Sequence, residues 1–319
     1  MQKNNPVISI ITPVFNRAHI IRSSIDSVLS QTFLNWELLL VDDGSTDNIE
    51  EFVSDNYATD TRIKLIKRNS LPKGASTCRN IGIDQAIGQF IIFLDSDDLL
   101  ESFCLEQRFK AMAENINLDF GVFRFKYRNN EGKYIENSFV NGKDPLINFL
   151  SNKSYWNITC PVWKKSFLLS LGGFNTDFKR YQDVEMHIRA LTQPEVNYKL
   201  FDEYEPDMIV IPSAKDQTGF FAFNVFDSLM LLIPQTIECL NRLNKSEYIQ
   251  FMEGFLKEWM RLLLRSNFES GVYKKTIEVL GVFKKNKIIP KYKMWFYQSG
   301  LIGFNFLIRL ILNLYSKLI

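Results

Sequence analysis

With 319 residues, 46% of them apolar and 14% aromatic, the chain has material for one large domain plus an appendage, and this composition excludes disorder. The net charge of +2 hides a division: between residues 271 and 319 nine Lys/Arg stand against one acid, so the first 270 residues carry −6. Cys78, Cys104, Cys160 and Cys239 are scattered without CxxC spacing, which excludes a zinc site or a disulfide framework. The apolar run at 7–14 is too short for a secretion signal and contains Thr12 and Pro13, so a reducing, cytoplasmic setting is expected.

A first strand is expected at residues 7–11, ending in Thr12-Pro13-Val14-Phe15-Asn16. A helix from about 18 to 31 follows, with Ile21, Ile25, Val28 and Leu29 on one face. Residues 37–41 read as a second strand that ends in Asp42-Asp43-Gly44-Ser45-Thr46-Asp47. There Gly44 permits a tight turn, and Ser45 or Thr46 can cap the next helix, 48–57. A third strand at 63–67, a helix at 74–87 and a fourth strand at 90–94 continue the alternation, which means βαβ units and a parallel sheet. Right-handed crossovers gather the strand ends on one edge, where open α/β sheets bind ligands. Farther on, a helix is expected at 100–114 and a strand at 120–127, with a hairpin signal at Asn129-Asn130-Glu131-Gly132. Helices at 144–150, 164–171 (stopped by Gly172-Gly173) and 183–191 and a strand at 208–211 complete a domain over residues 1–220. Residues 221–319 read as wholly helical, with Tyr248, Met252, Phe255, Trp259 and Leu262 at helical spacing on one face.

The fourth strand delivers Asp95, Ser96, Asp97 and Asp98. Three carboxylates this close repel one another unless a cation sits among them. Oxygen-only ligands favour Mg²⁺ or Mn²⁺, ions that usually also hold substrate phosphates. On these residues alone, an acidic turn with Ser96 or Asp98 capping the next helix is an equal reading. Asp42 and Asp43 offer acceptors to a nucleobase N–H or a ribose hydroxyl, or Asp42 and Asp47 simply cap a helix. Arg79, on the helix before the fourth strand, offers charge to phosphates. Asp183 opens a helix, either as its N-cap or as a general base for an attacking hydroxyl. No G-x-G-x-x-G, Walker sequence or G-x-S-x-G elbow is present, and His19 and His187 are expected to face solvent or packing.

Taken together, 9–17 (Ser-Ile-Ile-Thr-Pro-Val-Phe-Asn-Arg), Ser30-Gln31-Thr32-Phe33 before Trp36-Glu37, and Val41 to Asp47 resemble the inverting nucleotide-sugar glycosyltransferases of family 2. The resemblance continues through Gly74-Ala75-Ser76, Arg79-Asn80, Gly82-Ile83, Phe93 to Asp98, Gly172-Gly173-Phe174 and Gln182-Asp183, over roughly the first two-thirds of the chain. It implies a GT-A fold: α/β, Rossmann-like, with a mostly parallel sheet flanked by helices and here an all-helical C-terminal extension. It further implies that Pro13 and Phe15 contact the base, with Asp43 holding it and Asp42 adjacent. Arg79, Asp95 and Ser96 would lie at the donor, Asp95 and Asp97 would end a D-x-D motif with Asp97 the direct metal ligand, and Asp183 would be the catalytic base. One departure is Gln182, where the family commonly has Glu; Lys215 is the candidate for a basic position after the late strand.

The expected activity is metal-dependent, inverting transfer of a sugar, with Mn²⁺ or Mg²⁺, from a nucleoside-diphosphate sugar such as a UDP-sugar. The acceptor would be a hydroxyl on a glycan or lipid-linked molecule in surface polysaccharide synthesis, with no nucleic acid as partner. A nucleotidyltransferase making a nucleotide sugar is the alternative, but no Gly-rich basic loop follows the first strand; a non-catalytic membrane-surface scaffold has no need of Asp95, Asp97 and Asp183. The apolar tail, 295–319, is interrupted by Asn305, Arg309 and Asn313. It is therefore expected to lie on a membrane surface with the Lys-rich stretch, 284–319 together, as a peripheral contact, rather than to span the bilayer.

Overall fold

The computed structural model describes residues 6–129, 131–139, 144–154, 156–211, 219–265, 270–291, 293–295 and 297–299. Two compact units emerge, one within 1–149 and 154–215, the other within 150–153 and 216–319. In the first, β1 (Ile8–Val14), α1 (Ile21–Leu29), β2 (Trp36–Asp42), α2 (Ile49–Tyr57), β3 (Ile63–Lys67), α3 (Ala75–Gln85) and β4 (Phe90–Phe93) form the expected alternation. Next come β5 (Leu99–Leu100), α4 (Cys104–Glu114), β6 (Phe120–Phe123), β7 (Phe125–Arg128), β8 (Tyr134–Glu136) and α5 (Pro145–Leu150). The unit closes with β9 (Pro161–Lys164), α6 (Lys165–Ser170), α7 (Gln182–Leu191), β10 (Tyr198–Phe201) and β11 (Met208–Val210).

The main sheet has the order β10-β6-β9-β4-β1-β2-β3. Its central strands β2 and β4 are buried along their whole length and β1 nearly so, which is why they read as unbroken apolar runs: helices cover both faces. Parallel register sets Val14 beside Asp42 and Ile11 beside Phe93, so the turns after β1, β2 and β4 open on one edge. Strand β9 runs antiparallel to both β4 and β6, which returns the residues just before Pro161 to that same edge. A smaller sheet, β5-β11-β7-β8, stands beyond it.

The single strand expected at 120–127 is two strands in different sheets. The chain breaks at Arg124, whose Nη2 and Nε donate to Tyr204 O (2.8 and 3.2 Å) and whose carbonyl accepts from Asp207 N (3.2 Å). Long-range bonds thus override a local alternation that continues across the break. Leu100, expected to start a helix, belongs with Leu99 to strand β5, and α4 begins at Cys104.

Two buried charge groups hold this frame. Glu37 accepts from Ser9 Oγ (2.6 Å), Ile87 N (2.7 Å) and Lys64 Nζ (2.8 Å), joining β1, β2, β3 and the α3–β4 connection. Burial pushes its pKa up, but these donors outweigh that and hold it below 4.5. Arg108 of α4, fully buried, donates twice to Asp207 (Nε to Oδ2, 2.8 Å; Nη2 to Oδ1, 2.7 Å) and once to Thr159 O (2.9 Å). It fastens the start of β11 and the approach to β9 onto one helix.

In the second unit, α8 (Gly219–Arg242), α9 (Glu253–Arg265) and α10 (Ser270–Lys285) pack together. Met252, Phe255, Trp259 and Leu262 are buried as their spacing predicts, although 246–252 is a 3-10 turn and the α-helix begins only at Glu253. Trp259 Nε1 donates to Thr276 Oγ1 (3.0 Å), joining α9 to α10. Among the described residues no helix is long and apolar enough to cross a membrane. Most of the expected interfacial tail lies outside the described residues, as does Lys215.

Replacing Arg108 by Met leaves Asp207 buried without its partner. It is expected to cost about 3–5 kcal/mol in urea unfolding, and the paired Arg108→Met/Asp207→Leu change to recover much of this. A loss in the single variant no larger than a surface substitution gives would refute the brace. For Glu37, a depressed folded pKa gives stability that is present above the unfolded value and lost as pH falls through the folded one. The stability gap between the native protein and Glu37→Gln is therefore expected to shrink when urea melts are taken from neutral pH into acid; a constant gap contradicts it.

Candidate active site

A cavity of about 730 Å³ opens where the strand ends meet. Pro13 lies near the end of β1, and Phe15 and Arg17 follow it; Asp43 follows β2; Cys78 and Arg79 come from α3; Asp95, Ser96, Asp97 and Asp98 follow β4. Of the donor residues expected from sequence, Pro13, Phe15, Asp43, Arg79, Asp95 and Ser96 all line it, together with Asp97.

Asp43 Oδ1 accepts from Gly74 N (3.1 Å) and pairs with Arg68 Nε (2.6 Å), so its carboxylate is held in a fixed orientation at the cavity. The neighbouring Cys78 thiol is pushed up to about 12 by burial and by Asp43, which keeps it protonated. Phe15 is 44% exposed at the mouth, with the Lys73 ammonium 3.7 Å from its ring centre. Asp42 does not line this cavity; its Oδ1 accepts from Ser45 N (2.9 Å) and shapes the turn. Ser45 and Thr46 do not cap α2, as had been expected. Ser45 Oγ accepts from Asn16 N (2.9 Å), Thr46 N donates to Asn16 Oδ1 (2.8 Å), and Asp47 Oδ2 accepts from Ala18 N (2.8 Å). These polar groups stitch the turn after β2 to the turn after β1.

Arg79 joins the two halves of the acidic site. Nη2 donates to Asp95 Oδ1 (2.7 Å) and Nη1 to Gln182 Oε1 (3.2 Å), while the guanidinium lies over the Phe174 ring. Asp183 does not line the cavity wall but lies close enough for Arg79 and Asp95 both to act on it. Burial raises its pKa against the opposing pull of the Val184 N–H and Arg79. Asp97 is likewise raised by burial and by Asp95, opposed by Arg17. Asp98 is pushed up to about 8 by burial and its two acidic neighbours. It caps no helix; instead its Oδ1 accepts from Ile211 N (3.0 Å), tying the end of β4 to β11.

Among the described residues no three His, Cys, Asp or Glu side chains converge on one point. Asp95 and Asp97 nevertheless suit a hard divalent ion in kind: they are oxygen donors, and the Asp95 charge that adds to burial in raising Asp97 is one a cation would offset. Mg²⁺ and its like bind through one or two carboxylates plus substrate phosphates.

A latch sets the spacing between α3 and α7. Asn80 donates from Nδ2 to Phe174 O (2.8 Å) and accepts from Phe174 N (2.7 Å). From α7, Arg189 donates to Leu171 O (2.5 Å) and Gly173 O (2.8 Å), and it also pairs with Glu185. Gly172 and Gly173, which end α6 as their sequence predicts, have φ of +78° and +67°. A Cβ on Gly173 would stand 2.5 Å from Asn80 Oδ1, whereas one on Gly172 would meet nothing within 4 Å.

Tyr127, Arg180 and Ile211 also line the cavity and were not foreseen, whereas Asn157 comes from the irregular 151–162 loop, which from sequence is the expected source of acceptor contacts. Asn157 precedes β9, a four-residue strand opening on Pro161 that has little signal of its own. The basic pair Lys179-Arg180 just ahead of Gln182-Asp183 was the one available hint.

A mostly parallel α/β sheet with facing acidic and basic groups at its carboxyl edge defines a GT-A-like fold. The chain belongs to glycosyl transferase family 2, whose model matches residues 9–169. A UDP-Glc:alpha-D-GlcNAc-diphosphoundecaprenol beta-1,3-glucosyltransferase, WfgD, of Escherichia coli is 42% identical over 40% of this chain and 51% of its own length. A GalNAc(5)-diNAcBac-PP-undecaprenol beta-1,3-glucosyltransferase of Campylobacter jejuni is 32% identical over 54% of this chain and 56% of its own. The chain thus spans about half the length of these relatives, and about a quarter of an uncharacterized Rickettsia felis glycosyltransferase (24%). In fold it is similar to Staphylococcus aureus TarS 1–349 in complex with UDP-GlcNAc, at 18% identity and TM-score 0.67 over 88% of this chain and 81% of that one. It is also similar to a Pyrobaculum calidifontis mannosyltransferase in complex with GDP-Man and Mn2+, at 18% identity and TM-score 0.52 over 94% and 86%.

Gly173→Ala is expected to destabilise by about 1–3 kcal/mol through left-handed strain compounded by the Asn80 clash. Gly172→Ala is expected to show only the smaller strain. Equal losses in thermal denaturation would remove the latch.

Proposed function

We propose that the chain is an inverting glycosyltransferase that moves a sugar from a nucleoside-diphosphate donor, a UDP-sugar, to a hydroxyl of a lipid-diphosphate-linked glycan in surface polysaccharide synthesis. The observation that carries this is the Arg79 bridge: one guanidinium binds both the acidic end of β4 and the start of the helix bearing Asp183. The named relatives, which act on diphosphoundecaprenol-linked sugars, support the acceptor class, and WfgD with the TarS complex supports the donor. Four exposed lysines, Lys284, Lys285, Lys287 and Lys291, suit the anionic membrane surface where such an acceptor resides.

In this reading Asp43 accepts from the base, Pro13 and Phe15 flank it, and Arg79 with Ser96 orients the donor. Asp42 acts one step removed, by shaping the turn that presents Asp43. Asp95 and Asp97 would hold Mn²⁺ or Mg²⁺, which when bound neutralises charge gathering on the leaving diphosphate. Asp183 takes the proton of the acceptor hydroxyl as its oxygen bonds to the anomeric carbon, and the bond from that carbon to the diphosphate breaks on the opposite face. Because burial raises the Asp183 pKa, the base is protonated, and lost, at a higher pH than an ordinary carboxylate.

The test is purified protein with Mn²⁺ and a panel of nucleotide sugars, read by nucleoside-diphosphate release and by donor binding. Asp183→Asn is expected to cut turnover by about 10²–10⁴-fold while donor binding is kept. Asp97→Ala weakens both. The acid limb of kcat/KM is expected above the normal carboxylate range. Absence of any donor binding would sink the assignment, and near-normal turnover in Asp183→Asn would remove the base.

A further inference from the structure

The residues assigned to the donor line only part of the cavity. Its other side is carried by the small sheet, where parallel register sets Val210 beside Tyr127 and Met208 beside Phe125. Cross-strand partners share a face, so Phe125, Tyr127 and Val210 form one wall, all three lining the cavity. Antiparallel pairing of Tyr127 with Ile135 carries the same apolar row outward onto β8, with Tyr127 36% and Ile135 40% exposed. The wall thus continues out of the cavity as an apolar ledge.

Two further polar residues line the same cavity. Asn157 Oδ1 already accepts from Thr159 N (3.1 Å), Thr159 Oγ1 (2.6 Å) and Cys160 Sγ (3.1 Å). Its oxygen is saturated, so the amide N–H₂ is the group it has to offer a ligand. The second is Arg180. Of the three cavity arginines, Arg79 is bonded to Asp95 and Arg17 acts on Asp97, both on the acidic side. Arg180 instead lies two residues before the first residue of α7, the helix that carries Asp183. A cation there lies at the approach to the helix that bears the proposed base, where the attacking hydroxyl would give up its proton.

We propose that Tyr127, Asn157 and Arg180 form an acceptor subsite for a sugar carried on a phosphodiester or diphosphate. The sugar ring stacks on Tyr127, a sugar hydroxyl accepts from Asn157, and Arg180 pairs with the phosphate. This rests on the glycosyltransferase reading and assigns the side of the cavity that reading leaves open. Charge-assisted pairing makes the phosphate, rather than the sugar alone, the feature selected.

The experiment uses the full chain with three probes: UDP, a GlcNAc-diphosphate bearing a short alkyl chain, and the matching alkyl GlcNAc glycoside without phosphate. Binding of each acceptor probe is measured by calorimetry in the presence of UDP. The native protein is expected to hold the diphosphate probe about tenfold tighter than the phosphate-free one. Arg180→Ala is expected to erase that preference and Arg180→Lys to keep part of it. Tyr127→Ala or Tyr127→Leu is expected to weaken both acceptor probes about fivefold, with UDP affinity within about twofold of native. The subsite is overturned if the native protein does not distinguish the two acceptor probes, if Arg180→Ala leaves the preference intact, or if Arg180→Ala weakens UDP instead. Failure of the native protein to bind UDP or any nucleotide sugar would strike the glycosyltransferase reading itself, a separate outcome.

Discussion

Four carboxylates, Asp43, Asp95, Asp97 and Asp98, share one partly buried cavity, and like charges at such spacing cannot all stay ionised without help. The fold answers each one differently. Asp43 receives Arg68, and Asp95 receives Arg79. Asp97 lies in the field of Arg17 and is still raised. Asp98 yields: burial moves its pKa to about 8, and it accepts the Ile211 N–H. The site therefore grades its acids by their partners: two are ion-paired, one lies in the field of an arginine, and one is protonated at neutral pH.

That gradation depends on walls from two sheets. Parallel strands β1, β2 and β4 bring the acids to one edge, but the facing wall exists only because the chain leaves the main sheet at Arg124. Arg108 keeps that wall in place. Its bidentate pair with Asp207 and its bond to Thr159 O tie β11 and the approach to β9 to α4. A buried ion pair is weak evidence of net stability, since hydrophobic replacements often do as well. Its value here is directional: a fork of donors sets the bearing of two chain segments that an apolar contact would leave loose.

How much of this was legible in the sequence follows from the range of the forces involved. β1, β2 and β4 were readable because both faces of these central strands are buried and their residues are mainly apolar. The break at Arg124 was not, because alternation persists across it and the bonds that cause it come from Tyr204 and Asp207, some eighty residues on. β9 and β10 have four residues each, too few for a period to declare itself. Ser45 and Thr46 looked like caps, and their partner proved to be Asn16, on a different turn. His187 was expected to face either solvent or packing, and it packs, stacked on Phe149 and Trp163 with Trp156 edge-on, its pKa lowered to about 3 by burial. The roles of Asp43 and Asp183 came from resemblance; in isolation each is an acid at a helix approach.

The Asn80 and Arg189 contacts have a consequence for timing. They clip α3, the Gly172-Gly173 turn and α7 together through backbone carbonyls and amides, so Arg79 and Asp183 ride on one stiff body. Under the proposed function, the distance between the group that would clamp the anion and the group that would take the proton is decided when the polypeptide folds, before any substrate arrives. Any rearrangement that proposed reaction requires would then be hinged elsewhere, and this pair would need little reorganisation.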